Sequence, residues 1–366
     1  MTAFGSEFTI GVEEELLLVD PRTGALDPSA ALVLGRVDAD RDAVDGELYA
    51  AQLEVRSGKC DGADMVLSRL RAARAAVARA GATVLGCGVH PTAGIGDAPI
   101  VDADRYRVVH GMFAGLMDRT PEAALHVHIG LPDEQSAVRA LNGLREYLPI
   151  FIALAANSPW WFGRDAGLDS TRYSLVRAYP TRRVPDRVRS YQDYLRASER
   201  FRADVGLDDP TFVYWDIRLH PRYGTVEIRE MDAQASPTVS AGLAALIQAT
   251  TVALAEGVLD PAPSPQDSLA WACFLASRDG LAAPHIGREA RGSLAHACRA
   301  LLDAVRPVGR PLGGADALQV IDGVLRDGNG ADRQRRAAGS AGPDAALRYL
   351  IEESNPQVGM GGRRTV

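Results

Sequence analysis

Residues 9–19 read TIGVEEELLLV, three consecutive glutamates set between apolar residues, and this stretch constrains the fold more than any other. The apolar flanks predict a strand. Successive side chains of a strand point to opposite faces, so Glu13 and Glu15 share one face and Glu14 takes the other. Adjacent carboxylates repel, and burying them is costly unless cations or donors compensate. Two explanations stand at this point. The strand has one solvated face, or its carboxylates hold a hard divalent cation such as Mg²⁺, which takes oxygen ligands and is usually held by one or two carboxylates plus substrate phosphates. The second explanation needs partners elsewhere in the chain. In either, Glu14 is expected to meet an arginine or solvent on the far face.

With 366 residues, 46% of them hydrophobic, the chain can bury a large core. No linker, internal repeat or low-complexity block divides it, so one domain spanning residues 1–366 is expected. A net charge of -7 and a pI near 5.6 argue against coating nucleic acid or an anionic membrane. Lys59 is the only lysine and completes no GxxxxGK[ST] phosphate loop. Cys60, Cys87, Cys273 and Cys298 lack CxxC spacing, which favours reduced thiols in a cytoplasmic protein. The N-terminus MTAFGSEF has no basic segment followed by an apolar core, so no signal peptide is expected. Residues 239–259 are the nearest approach to a membrane span, but Ser240, Gln248, Thr250, Thr251 and Glu256 make a buried helix the better reading.

Alternation and turn residues predict further strands over 48–56, 83–89, 125–131, 212–219 and 225–231, the last two joined antiparallel through the turn at 221–224. Helical spacing follows Asp61, a candidate N-cap, and ends at Gly81. Further helices are expected over 105–119, 134–156 and 182–205, with Pro149 ending or kinking the second of these near Leu148. From 238 to about 355 the pattern is helical, and 358–366 reads as a loose tail. Strands early and helices late, without regular alternation, predict an α+β fold: a mainly antiparallel sheet of about six strands backed by helices. Residues 156–172, ANSPWWFGRDAGLDSTR, form a connection longer than most and are a candidate cover for a site.

The polar residues on these strand faces are Glu13, Glu15, Glu54, His126, His128, Asp216, Arg218, Glu227 and Arg229. Singly, an HxH pair is more often structural and an ExR pair more often a cross-strand salt bridge. Their recurrence on five strands points instead to one concave face. Such a surface suits Mg²⁺ ions bridging phosphate oxygens, with guanidinium groups neutralising charge during phosphoryl transfer.

The blocks GVEEELLLVDPRTG, LHVHIGLPD, LAANSPWWFGRDAGLDSTR and RLHPRYGTVEIREMDAQ resemble the carboxylate–amine ligase family, also described as glutamate–cysteine ligase type 2. The resemblance spans roughly residues 8–250. It implies the fold of the glutamine synthetase catalytic domain, a curved sheet forming an active-site funnel. By position it implies that Glu13, Glu15, Glu54, His126 and Glu227 hold metal, and that His126, His128 and Arg229 face the nucleotide phosphates. Glu227 and Arg229 would be catalytic, with Arg229 on the transferring phosphoryl group, and Asn157, Ser158 and Arg172 would contact substrate. The implied cofactors are ATP and two or more Mg²⁺ ions, with Mn²⁺ as a substitute. The implied partners are amino acids or amines, by default glutamate as donor and cysteine as acceptor, with no nucleic acid and no membrane. A homo-oligomer is expected because closed symmetric assemblies are common among soluble enzymes. Two readings of other kinds stay open: a guanidino or amino-acid phosphotransferase on the same sheet, and a nucleotide- or amine-binding sensor without turnover. A mononuclear metal hydrolase built on His126 and His128 lacks a third ligand at zinc-type spacing.

Overall fold

A computed structural model of the chain describes residues 4, 5, 7–38, 42–206, 209–287 and 292–355. Its strands are β1 (Ile10–Val19), β2 (Val44–Gly46), β3 (Gln52–Arg56), β4 (Thr83–Leu85), β5 (Ala124–Gly130), β6 (Trp160–Trp161), β7 (Arg164–Asp165), β8 (Ile217–His220) and β9 (Thr225–Asp232). Its helices are α1 (Ala30–Leu34), α2 (Ala63–Arg79), α3 (Asp104–Phe113), α4 (Glu134–Ala155), α5 (Thr171–Val176), α6 (Tyr191–Val205), α7 (Pro237–Ala255), α8 (Gln266–Asp279), α9 (Leu294–Gly309), α10 (Ala315–Asp327), α11 (Gly330–Ala338) and α12 (Pro343–Ser354).

Seven strands make one antiparallel sheet in the order β2-β3-β1-β5-β9-β8, and β4 pairs with Leu17–Val19 beyond the stretch of β1 that β5 reaches. The β8–β9 hairpin turns through Gly224, whose φ of 64° a side chain would disfavour. One face of the sheet carries Val12, Leu16, Leu53, Val55, Leu125, Val127, Ile129, Ile217, Val226 and Ile228, all in a continuous core with residues of α2, α4, α7, α8, α9 and α10. Each such residue, fully buried, contributes about 1.5–3 kcal/mol. Glu14 points into this apolar face. It accepts hydrogen bonds from Arg74 Nε at 2.9 Å and Ser240 Oγ at 2.5 Å, so the arginine expected on the far face comes from α2.

Several expected boundaries move. Residues 48–51 are not strand: β2 and β3 are separated by a turn in which the Tyr49 hydroxyl donates to the Met117 carbonyl at 2.6 Å. β4 ends at Leu85, and α3 ends at Phe113, followed by a short 3-10 turn. Gly62, not Asp61, caps α2, while Gly81 ends it with φ 92° as expected. α6 begins only at Tyr191, capped by Ser190, because Pro180 and Pro185 keep the preceding residues extended. α4 runs through Pro149 instead of ending near Leu148. An interior proline forfeits one backbone bond and crowds the turn before it, but residues 148–155 are all buried and their packing carries the helix onward. The tail 358–366 lies outside the described residues.

Among the described residues, α7 is the one helix long and apolar enough to cross a membrane, and 89% of its most apolar window is buried inside the fold. Its polar side chains are satisfied internally, Thr250 and Thr251 by the carbonyls four residues back and Gln248 by the Phe8 carbonyl.

Candidate active site

The opposite face of the sheet lines a cleft of about 410 Å³, and the strand register arranges its polar residues in rungs. Glu15 stands opposite Glu54, Glu13 stands between Arg56 and His126, and His128 stands opposite Glu227, which faces Arg218. Between Leu125 and Val127 the β5–β9 register shifts, placing an extra residue on β9 near Arg229 and Glu230. Such a bulge re-aims side chains beside a site.

Three groups of ligand atoms, each within 4.8 Å of one another, climb this ladder: Glu15–Glu47–Glu54, Glu13–Glu54–His126 and Glu13–His128–Glu227. His126 Nδ1 lies 3.4 Å from Glu13, and His128 Nε2 lies 3.8 Å from Glu227 and 3.9 Å from Glu13. Glu227 also accepts from Arg218 Nε at 2.5 Å and pairs with Arg229. His128 Nδ1 is fixed by Thr225 Oγ1 at 3.1 Å.

Burial raises the Glu13 carboxyl, but hydrogen bonds and charge from His126 and His128 outweigh it and hold the group well below the usual range. Glu227 is likewise raised by burial and pulled well below its ordinary value by Arg218, Arg229 and His128. Glu54 goes the other way, pushed up by burial and by the charges of Glu13 and Glu47. Glu47 is pushed to about 7 by burial and by Glu15 and Glu13. Burial and Arg229 lower His126, whereas Glu227 and Glu13 raise His128 against the opposing effect of burial.

Divalent cations fit this donor set. Glutamate oxygens dominate it, the carboxylates at the Glu47 end crowd one another, and His126 Nε2 is buried without a hydrogen-bond partner. Mg²⁺ favours the all-oxygen group, and Mn²⁺ tolerates the groups containing imidazole. The crowding has a measurable sign. Glu47 stays protonated in the folded protein up to about pH 7, against an ordinary 4.5, so folding takes up a proton and stability falls as pH rises through that window. In chelator, Glu47→Gln is expected to match the parent near pH 4.5 and to exceed it by about 1–3 kcal/mol above pH 7. Urea melts across pH check this, and saturating Mg²⁺ should reverse the order.

Of the expected site residues, Glu13, Glu15, Glu54, His126, His128, Arg172, Arg218, Glu227 and Arg229 all line the cleft. Asn157 and Ser158 do not. The Asn157 backbone N–H and the Ser158 hydroxyl both donate to Asp232, at 2.9 and 2.7 Å, and the Asn157 amide donates to the Gly86 and Ala233 carbonyls. Residues 156–172 therefore do not cover the cleft. Asp232 holds them from behind, Arg335 of α11 bridges to Asp165 and Asp169, and only Arg172, in the first turn of α5, reaches the cavity. Asp216 leaves the strand face as well, held by Arg177 through two bonds of 2.8 Å. The wall facing the sheet comes instead from α3 and the turn after it, through Tyr106, Val109, Phe113 and Met117. Sequence reasoning missed Glu47, Glu122 and Arg182, which sit in irregular segments where periodicity carries no signal.

The same fold occurs in a glutamate–cysteine ligase from Francisella tularensis, solved in complex with AMP. The TM-score is 0.69 at 14% identity, covering 97% of this chain and 89% of that one. It occurs again in a bifunctional glutathione synthetase from Pasteurella multocida, with a TM-score of 0.66 at 13% identity over 96% of this chain and 52% of that one. Together with the sequence relatives below, the fold and site define an ATP-dependent ligase. The chain belongs to glutamate-cysteine ligase family 2, which matches its residues 9–354. A Rubrobacter xylanophilus protein named provisionally as glutamate–cysteine ligase 2-3 is 36% identical over 362 residues, 96% of this chain and 99% of that one. A Thermobifida fusca relative with the provisional name glutamate–cysteine ligase 2 is 34% identical over 350 residues, 89% of this chain and 86% of that one.

Proposed function

We propose that the protein forms an amide from a carboxylate and an amine through an acyl phosphate, with glutamate as carboxylate donor and cysteine as amine acceptor. The observation that carries this reading is the meeting in one cleft of stacked carboxylate–imidazole groups with Arg172, Arg218 and Arg229. A carboxylate is a poor electrophile because its own charge repels nucleophiles. Its oxygen attacks the γ-phosphorus of ATP and ADP leaves. The amine nitrogen then attacks the acyl carbon, phosphate departs, and the nitrogen gives up a proton.

Glu13, Glu15, Glu54, His126 and Glu227 would hold Mg²⁺, which supplies charge neutralisation on the phosphates when bound. Arg229, aimed by its pair with Glu227, stabilises the charge that develops on the transferring phosphoryl group. His128, fixed by Thr225, orients the Glu13 and Glu227 carboxylates. The apolar wall of Val109, Phe113 and Met117 excludes water from the acyl phosphate. The reading includes a single catalytic domain working in the cytoplasm, where ATP and free thiols coexist, and assembly as a symmetric homo-oligomer.

Pure protein incubated with ATP, Mg²⁺ and a panel of amino acids and amines is expected to release ADP only with a matching pair and to give a product of amide mass. ADP release with a stable phosphorylated product would identify a phosphotransferase, and no pair-dependent ADP release would refute the ligase. Glu13→Gln keeps the size of a ligand shared by two of the groups and removes its charge. It is expected to raise the Mg²⁺ needed for half-maximal rate by at least about ten- to a hundredfold, the loss usual even for residues behind a metal ligand. An unchanged Mg²⁺ titration would remove Glu13 from the metal site.

A further inference from the structure

We infer that Arg177, which lies outside the cleft at the end of α5, is a positioning residue for Arg229: it ties Asp216 to Glu230 and so fixes the β9 bulge that aims Arg229 into the cleft. The ligase reading enters only through the role given to Arg229, and the test below separates the two.

Strand alternation puts residues two apart on one face. Yet Ile228 and Met231, three apart, are both in the apolar core. The extra residue lies between the pairs Val127–Ile228 and Leu125–Met231, so that His126 alone spans Arg229 and Glu230. An unbroken strand would send Glu230 into the core with Ile228. A bulged residue has no partner in the ladder and disrupts the pairing around it, so other contacts must hold it in place.

Those contacts close a ring around the backbone of Arg229. The Arg229 N–H donates to the Asp216 carbonyl at 2.9 Å. Arg177 Nη1 and Nη2 each donate to an Asp216 carboxylate oxygen at 2.8 Å, and Nη2 also donates to Glu230 Oε2 at 2.6 Å. The ring thus runs from Arg177 through Asp216 to the Arg229 backbone, and returns through Glu230. Both carboxyls are buried, and Arg177 is the cation that joins them. Arg182, the other cation beside Glu230, is 3.9 Å from Oε1, beyond hydrogen-bond reach. The Tyr173 ring, 4.4 Å from the Arg177 guanidinium, sets its direction. Burial opposes the charge of Arg177, but Glu230 and Asp216 hold its pKa well above the ordinary arginine value. α5 is anchored independently of this side chain: Ser170 Oγ accepts from the Tyr173 N–H and Ser158 Oγ from the Arg172 N–H, both at 3.2 Å. Removing the Arg177 guanidinium therefore leaves Arg172 where it is.

Steady-state ADP release, thermal melts and crystal structures of the ligand-free chain are compared for the parent, Arg177→Lys and Arg177→Met. Both variants are expected to lose about ten- to a hundredfold in kcat, the loss usual for a residue that orients a working group, with KM for ATP within about threefold. Lysine keeps a cation for the buried carboxyls but lacks the fork that spans them, so Arg177→Lys should melt with the parent and still lose rate. Methionine orphans the carboxyls and should also melt lower. If it fails to fold, the lysine variant carries the comparison. In an Arg229→Ala background the same changes at Arg177 should cost less than about twofold, because residues that act through one another are not additive. In the crystal of Arg177→Lys the Arg229 guanidinium should sit about 1 Å or more from its parental place, a misplacement large enough for such a loss. An unmoved Arg229, a parental kcat, or an equal loss with and without Arg229 would overturn the proposal. A displaced Arg229 in a protein whose parent releases no ADP with any donor and acceptor pair would leave the positioning role standing and refute the ligase reading.

Discussion

Replacing Arg229 by alanine is expected to lower kcat by about two to three orders of magnitude, the usual loss on deleting one preorganised transition-state donor. Arg229 pairs with Glu227 on the same strand, and its Nε is buried with no partner, so the guanidinium is oriented with donor capacity unspent. Burial disfavours its charge, but Glu227, Glu15 and Glu13 hold its pKa above the ordinary arginine value, so it stays a cation at any working pH. In alanine's place Glu227 keeps the 2.5 Å bond from Arg218, so its carboxylate is not orphaned and the fold should survive. KM for ATP should change much less than kcat, because the contact matters most where charge moves. Arg229→Lys, retaining the charge without the fork, should recover part of the rate. Wild-type kcat at saturating ATP in the alanine variant would reduce Arg229 to a structural partner of Glu227.

Arg74→Met is expected to lose about 3–5 kcal/mol of stability, the cost of breaking a buried ion pair by removing one partner. Glu14 is 0% exposed on the apolar face of the sheet, and Arg74 meets it at 2.9 Å while spending its other nitrogens on the Ala235 and Gln234 carbonyls at 2.6 and 2.7 Å. Methionine fills the volume but leaves a carboxylate held by Ser240 alone, together with two unmet carbonyls. The double change Glu14→Leu with Arg74→Met should recover much of the loss, since well-packed apolar side chains can replace a buried pair at little cost. Urea melts of the three variants decide the matter. A single variant within 1 kcal/mol of the parent would show that the fold does not depend on the Glu14–Arg74 pair.

How much of the site was legible beforehand can be traced to individual residues. Glu13, Glu15, Glu54, His126, His128, Glu227 and Arg229 were readable because the strand period is short and local: residues two apart share a face whatever the rest of the chain does. Asn157 and Ser158 went astray because a sequence block shows neighbourhood without direction, and Asp232, over seventy residues away, claims both. Asp216 failed for a related reason, since it lies one residue before β8 and Arg177 turns it away.

Sequence alone thus determined the parity of TIGVEEELLLV: Glu13 and Glu15 together, Glu14 apart, in an α+β fold with an antiparallel sheet. Only tertiary structure decided which carboxylate faces which imidazole, that Glu47 and Arg182 swing in from irregular segments, and that Arg74 is the cation that meets Glu14. The reason is physical. Side-chain parity follows from dihedral angles within one strand, whereas register, the β9 bulge and the placement of turns come from pairings and packing between residues tens to hundreds of positions apart, which no local period encodes.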